Sequence, residues 1–241
     1  MDFKLEVPTS LEYFASLVQS DTEFPLLEAA ICLAQDEYPE LDIQEVLGQV
    51  DQLVSRLKKR LPADAGAIHK LRLLNNFFFE EMGFAGNANN YYDPDNSYLH
   101  VMLRTRRGIP ISLALLWLEL AGQIGLDAHG VGFPGHFLVK VHLPYPHEGK
   151  VVIDPFNGHS LTKEDLMERL SPLYVESGLV RDGEISDELL KHYLRSATPR
   201  EIMTRMLRNL EEVYNSQSDI ERLDAVRKRL KVLLPSLDEA V

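Results

Sequence analysis

Three residues whose side chains can carry out acyl-transfer chemistry follow one another along the chain: Ser112, His136 and Asp154. A serine hydroxyl can attack a carbonyl carbon when a histidine accepts its proton, and a carboxylate can hold that histidine in the required tautomer. Their order in the sequence says nothing about their distances, and many such triples occur in a chain of 241 residues. On the residues alone, ordinary structural roles are the simpler interpretation.

Ser112 is predicted to lie in the first turn of an apolar helix. Pro110 suits the first helical position, where its missing N–H is not needed, and Gly125 suits the C-terminal cap. The free N–H groups at such a helix start could hold an oxyanion. Because the helix contains few polar residues, we expect it to be central and buried. The structural alternative for Ser112 is a hydroxyl that bonds a free helical N–H.

Three β-prone runs follow this helix, and turns that contain glycine or proline separate them. They cover residues 128–132, 136–143 and 150–153 and predict an antiparallel meander. His136 begins the second run and Asp154 follows the third. The structural alternative for His136 is a packed histidine that Asp154 or a carbonyl satisfies.

Helical patterns occupy both ends of the chain. Residues 1–83 are predicted to form an N-terminal helical region, residues 84–196 the α+β core, and residues 197–241 a helical hairpin. The lengths in the hairpin are compatible with one tetratricopeptide-type unit. Residues 171–185 are predicted to be a loop. Because one helix pair buries too little surface to be stable alone, the hairpin should pack on the rest of the protein.

Several stretches of the chain resemble the transglutaminase-like core, a papain-like fold in which a central helix packs on a small antiparallel sheet. They are residues 107–113 with the helix after them, then 125–131, 135–137 and 152–158, together with the asparagine-rich loop 83–97. More closely, the chain is similar to the bacterial SirB-type branch. In that branch, helices precede the core and tetratricopeptide-like helices follow it.

The resemblance implies which residues would form an active site. Active relatives carry a cysteine at the start of the central helix, a histidine at one strand and an aspartate at the next. His136 and Asp154 match the last two, whereas Ser112 stands at the position of the cysteine. Thiols ionise readily beside histidine, but a serine hydroxyl needs general-base help throughout attack. We therefore expect no crosslinking or thiol-protease activity.

Composition limits the function classes further. The formal net charge is -12, which argues against a nucleic-acid partner, since phosphate binding requires clustered Lys and Arg. The longest apolar stretch, residues 109–122, is too short for a membrane span, so we expect no membrane partner. The lone Cys32 rules out an internal disulfide, and no secretory signal begins the chain. These features predict a cytoplasmic protein with a buried, unreactive Cys32.

No metal or cofactor is expected. Five of the eight histidines fall within a short span: His129, His136, His142, His147 and His159. His136 and His142 lie about 20 Å apart along an extended strand, too far to share an ion. Residues 130–135 match G-x-G-x-x-G, but a β-run follows where a dinucleotide site needs a helix.

The preferred interpretation is a binding or scaffolding module with a degenerate Ser112, His136 and Asp154 triad. A protein partner would bind through the C-terminal helices or the core cleft. We expect Leu230, Leu233 and Leu234 to be partly uncovered, with Val241 an early end to a longer helical array. The alternative is a serine hydrolase that acts on an amide or ester, and a third is a purely structural partner protein. The sequence indicates neither a substrate nor an oligomeric state.

Overall fold

The computed structural model describes residues 8–20, 23–146, 148–177 and 186–235. The α-helices in this part of the chain are α1 Ser10–Leu17, α2 Leu26–Cys32, α3 Ile43–Lys58, α4 Ala67–Asn75, α5 Leu99–Thr105, α6 Pro110–Gln123, α7 Lys163–Ser177, α8 Asp187–Tyr193, α9 Pro199–Ser216 and α10 Ile220–Leu233. The strands are β1 Ala85–Gly86, β2 Arg107–Gly108, β3 Ala128–Val131, β4 Leu138–Leu143, β5 Gly149–Ile153 and β6 Ser160–Leu161.

Helix α6 is the centre of the fold. Pro110 occupies its first turn, and Gly125 follows it with a positive φ of 65°, a backbone conformation that glycine adopts without strain. Every residue from Pro110 to Trp117 is buried. The helix contacts α3, α4, α5 and α9 as well as strands β3 and β4, which confirms the predicted central position.

The sheet is an antiparallel meander of order β3-β4-β5-β6. It confirms the three predicted strands and adds the short β6. Side chains alternate between its two faces, as the strand period requires. Val139, Val141 and Ile153 join the large core around α6, while Leu138 and Val152 join a smaller cluster with α7 and α8. The α+β class with helices at the C-terminal end is thus confirmed.

Helices α9 and α10 form an antiparallel hairpin that packs on the rest of the protein. Arg200 in the first turn of α9 donates to the carbonyl of Leu233 at the end of α10 and, over 2.9 Å, to the carbonyl of Val18. The hydroxyls of Tyr214 and Tyr98 lie 2.5 Å apart in the core. One hydrophobic cluster contains residues of all three predicted regions, and their division at 83 and 196 stays a prediction.

Two expectations about the chain are wrong. Leu230 and Leu233 are buried, at 4% and 0% exposure, because the hairpin turns them onto the core, and only Leu234 is half-buried. Residues 171–177 are the last turns of α7 rather than a loop, while 178–185 lie outside the described residues, as do His147 and Val241. Cys32 is fully buried, as predicted. In the described part of the chain, no helix is long and apolar enough to cross a membrane.

Candidate functional site

The structure brings His136 and Asp154 together. His136 lies just before β4, and Asp154 follows β5, its antiparallel neighbour in the meander. The His136 Nε2 atom is 2.7 Å from Asp154 Oδ1, so the hydrogen bond expected between the two is present. The imidazole is one-fifth exposed and the carboxylate is almost fully buried. Among the residues that the structure describes, the hydrogen bond of the His136 ring is made through Nε2 and none is made through Nδ1.

Asp154 accepts from two further donors. The Phe156 N–H donates to Oδ1 over 3.0 Å, and Arg169 Nη2 on α7 donates to Oδ2 over 2.9 Å. Burial by itself raises the pKa of Asp154, but the hydrogen bond and charge of His136, with the donations from Phe156 and Arg169, outweigh it. The pKa of Asp154 therefore lies below its usual value, and the carboxylate is ionised at neutral pH.

Ser112 is the third residue of α6, and its side chain is fully enclosed. Its hydroxyl donates to the carbonyl of Asn96 over 2.7 Å and accepts from the N–H of Ile109 over 3.1 Å. Its side chain is 0% exposed. Within the described residues it makes no hydrogen bond with His136. The structural alternative for Ser112, a hydroxyl bonded to a free helical N–H, is what the geometry shows.

The asparagine-rich loop encloses Ser112. Asn96 donates from its side chain to the carbonyls of Asn90 and Tyr91, over 2.6 and 3.2 Å, while its own carbonyl receives the Ser112 hydroxyl. The Gly86 N–H donates to the Phe156 carbonyl over 2.8 Å, which joins the loop to the turn after Asp154. The loop is therefore a bonded part of the site.

Two exposed tyrosines lie on this loop. Tyr91 and Tyr92 are 41% and 62% exposed, and their rings meet edge to face at 5.4 Å. The ring of Tyr91 also lies 6.1 Å from that of Phe156. Burial raises the pKa of the Tyr91 hydroxyl, as does Tyr92, while the charge of Arg205 on α9 lowers it in part. The positive charge of Arg205 therefore acts on the Tyr91 hydroxyl.

A groove of about 620 Å³, which includes Arg205 in its lining, runs between the β3–β4 turn and α9. We call it the arginine groove; its lining includes Gly132, Phe137, Arg195, Arg200, Glu201, Arg205 and Arg208. Phe137 is the neighbour of His136 in the chain, but neither His136 nor Asp154 lines the groove. It concentrates four cations in a protein of net charge -12.

Sequence reasoning missed Arg169, Asn96 and Arg205. Arg169 belongs to α7, and nothing in its local sequence indicates that it reaches a carboxylate 15 residues earlier. Asn96 acts through its backbone carbonyl, which every residue type possesses. The arginines of α9 do carry a signal, because Arg205 and Arg208 are three residues apart and share a helix face.

Comparison with known proteins agrees with this architecture. A model of the transglutaminase-like superfamily matches residues 44–208, which include α6, the whole β3–β6 sheet and the first half of α9. The chain belongs to the transglutaminase-like superfamily.

Relatives of this transglutaminase-like protein occur in several bacteria. A UPF0162 protein of Xylella fastidiosa is 36% identical over 234 residues, which is 96% of this chain and 80% of the relative. A UPF0162 protein of Pseudomonas aeruginosa is 31% identical over 209 residues, 86% of this chain and 71% of the relative. Human F-box only protein 21 is 30% identical over 148 residues, covering 52% of this chain and 24% of that protein. No solved structure matches.

Proposed function

We propose that this transglutaminase-like protein is a non-catalytic binding module that holds an acidic segment of a partner protein in the arginine groove. The observation that carries the proposal is the enclosure of Ser112. Its hydroxyl is fully buried and bonded to the carbonyl of Asn96 and the N–H of Ile109. A nucleophile needs a hydrogen bond to its base and a path for the carbonyl carbon. In the described part of the chain Ser112 makes no hydrogen bond to His136, which supports a non-catalytic role for the His136–Asp154 pair.

The charges in the groove support an acidic partner. Arg195 is paired with Glu201 and Arg208 with Glu211, each at 2.5 Å. Arg205 is half-buried and has no ion-pair partner in the part of the chain that the structure describes. A carboxylate from another chain would satisfy its guanidinium, and Arg binds carboxylates in a bidentate geometry.

The two exposed tyrosines of the asparagine-rich loop support a peptide as the occupant. Tyr and Arg are enriched among residues whose truncation weakens protein–protein binding, because they supply large contact areas with polar tips. Both tyrosines are exposed, the charge of Arg205 acts on the Tyr91 hydroxyl, and the Tyr92 ring packs against that of Tyr91. The shared segment also forms only 24% of F-box only protein 21, which fits a module combined with other regions.

The finer family assignment is part of the same proposal. We place the chain in the SirB-type branch and interpret α9 and α10 as one tetratricopeptide-like unit. Pro199–Ser216 and Ile220–Leu233 together match the ~34-residue helix–turn–helix length of that repeat. The single cysteine, buried and reduced, fits a cytoplasmic location.

Fluorescence anisotropy with a labelled ten-residue Asp/Glu-rich peptide containing one leucine tests the proposal. We expect wild-type protein to bind this peptide and to bind a Ser/Gly-rich or a Lys-rich peptide of the same length at least about tenfold more weakly. Arg205→Glu should remove binding of the acidic peptide. Arg56→Glu is the matched control, because this exposed arginine lies on α3 outside the groove. Equal binding by all three peptides, or by the Arg205→Glu variant, would contradict the proposal.

The second candidate is the serine hydrolase, which the His136–Asp154 hydrogen bond favours. In that version the loop at Asn96 would release Ser112, His136 would accept the hydroxyl proton, and N–H groups at the start of α6 would hold the oxyanion. Mass spectrometry of the peptide after the binding experiment separates the two candidates. Intact peptide is expected; cleavage by the wild type that is absent in Ser112→Ala would establish the hydrolase.

A further inference from the structure

Asp127, His129 and His142 form a cluster on the sheet away from the His136–Asp154 pair. Asp127 directly precedes β3, His129 lies two residues later, and His142 lies on β4. The His142 N–H donates to the carbonyl of Asp127 over 2.9 Å, so these two residues are neighbours across the strands. Because the strand period is two, Asp127 and His129 share a face, and His142 projects from the same face.

The donor atoms of the three side chains converge. His129 Nε2 is 2.8 Å from Asp127 Oδ1, and His142 Nδ1 is 3.3 Å from Asp127 Oδ2. One donor atom from each residue lies within 4.8 Å of the other two. A tetrahedral zinc ion with bonds of about 2.05 Å places its donor atoms about 3.3 Å apart. The two separations from the Asp127 oxygens, 2.8 and 3.3 Å, are at or slightly below that value, so small side-chain rotations would complete the geometry.

The orientation of His142 favours the same arrangement. Its Nδ1 faces Asp127, while its Nε2 is buried and has no hydrogen-bond partner within the described residues. Nδ1 is therefore the nitrogen that can bind an ion. The rings of His129 and His142 have centroids 5.3 Å apart. All three side chains are between about a third and two-thirds exposed, so an ion can reach them from solvent.

We propose that Asp127, His129 and His142 form a binding site for a divalent transition-metal ion, with zinc as the best fit. Two imidazole nitrogens and one carboxylate are a ligand set that suits zinc, whereas Mg²⁺ and Ca²⁺ prefer oxygen ligands. Three protein ligands leave a fourth position open to water or to a group of another molecule. The ion would also tie β3, at the edge of the sheet, to β4.

Two lysines lie opposite the proposed histidine ligands in the sheet. Lys140 lies opposite His129 in the β3–β4 ladder, but it is buried and its ammonium donates to the Leu194 carbonyl over 2.8 Å. Lys150 lies opposite His142 on β5 and is exposed. Both carry positive charge, so the affinity must come from direct ligation by nitrogen and oxygen atoms rather than from a general negative potential.

A calorimetric titration of zinc into the chelator-treated protein tests this site. We expect one binding event in the wild type and much weaker binding in His129→Ala and in His142→Ala. The loss should be at least the roughly 10- to 100-fold that removal of an outer-shell partner of a metal typically causes. His159→Ala is the matched control, because His159 is an exposed histidine outside the cluster and this variant should bind as the wild type does.

A second measurement separates ligation from loss of folding. Zinc should raise the melting temperature of the wild type and of His159→Ala, since a ligand that binds the native state stabilises it. Without zinc, all four proteins should melt at similar temperatures, because the altered side chains are partly exposed. The proposal is overturned if the wild type binds no zinc, or if its affinity is unchanged in both His129→Ala and His142→Ala. Magnesium should give no event in any of the proteins.

Discussion

At the scale of single residues, Asp154 is held by donors from three parts of the chain. His136 comes from the turn before β4, the Phe156 N–H from the turn after β5, and Arg169 from α7. A carboxylate that is buried loses its hydration, and each of these hydrogen bonds offsets part of that cost. The His136–Asp154 hydrogen bond thus stabilises the fold whether or not the protein is a catalyst.

This role predicts a dependence of stability on Asp154 and on pH. The Asp154→Asn variant should lose about 2 kcal/mol of unfolding free energy at neutral pH, because charge-assisted hydrogen bonds to a buried group are lost. The folded pKa of Asp154 lies below the unfolded value of about 3.9. Its contribution is therefore complete above that value and is lost as the pH falls through the lowered folded pKa. Urea unfolding at neutral and acid pH measures the difference.

The control for this prediction is Asp224→Asn, which removes a surface ion pair with Lys228. Exposed pairs of this kind contribute under about 1 kcal/mol, so the variant should resemble the wild type. An Asp154→Asn variant as stable as the wild type at neutral pH would show that the three donors do not stabilise the fold.

At the scale of elements, a buried arginine joins the first and last described helices. Arg229 on α10 is 3% exposed, forms an ion pair with Asp36, and donates to Ser10 Oγ on α1 over 3.3 Å. Ser10 in turn donates to Asp36 over 2.8 Å. The hairpin is therefore anchored to the N-terminal helices by polar contacts as well as by its apolar face.

Removal of one partner from this network should be costly. Arg229→Met should lower the unfolding free energy by about 3 kcal/mol, because Asp36 is left partly buried without its counter-charge. Lys228→Met is the control on the same helix: Lys228 pairs with the exposed Asp224, and its loss should cost under about 1 kcal/mol. Denaturant unfolding of both variants measures the contrast. Equal stability of the two would show that the buried network does not anchor the hairpin.

At the scale of the whole molecule, the sequence predicts the elements better than the contacts between distant residues. Helix α6 and the meander follow from local apolar periods and from Pro110 and Gly125. The partners of Ser112 could not be predicted, because Asn96 reaches it through a carbonyl that every residue type has. The distance from His136 to His142 along one strand does not indicate the cluster of His129 and His142, because that cluster joins two paired strands. The D-x-H spacing at Asp127 was the available signal.

The distribution of charge over the whole molecule cannot be read from the net charge. A chain of net charge -12 would be expected to repel acidic partners, yet α9 gathers arginines along one groove. Net charge describes long-range behaviour, whereas recognition depends on the local arrangement of side chains. The net negative charge of the protein is therefore compatible with the expected binding of a partner at the core cleft.

Whether the molecule opens a path to position 112 is the central question, and one labelling rate tests it. In the Ser112→Cys variant, the introduced thiol should react with a small maleimide as slowly as Cys32, which is the internal reference. Both positions are fully buried, and burial raises the pKa of the Cys32 thiol, although Arg229 opposes the shift. Labelling in the folded protein is followed by mass spectrometry of peptides. Slow labelling of both thiols would support the account, in which position 112 is closed to reagents and has a structural role. Rapid labelling at position 112 that disappears in the additional His136→Ala variant would show a working nucleophile site and contradict the account.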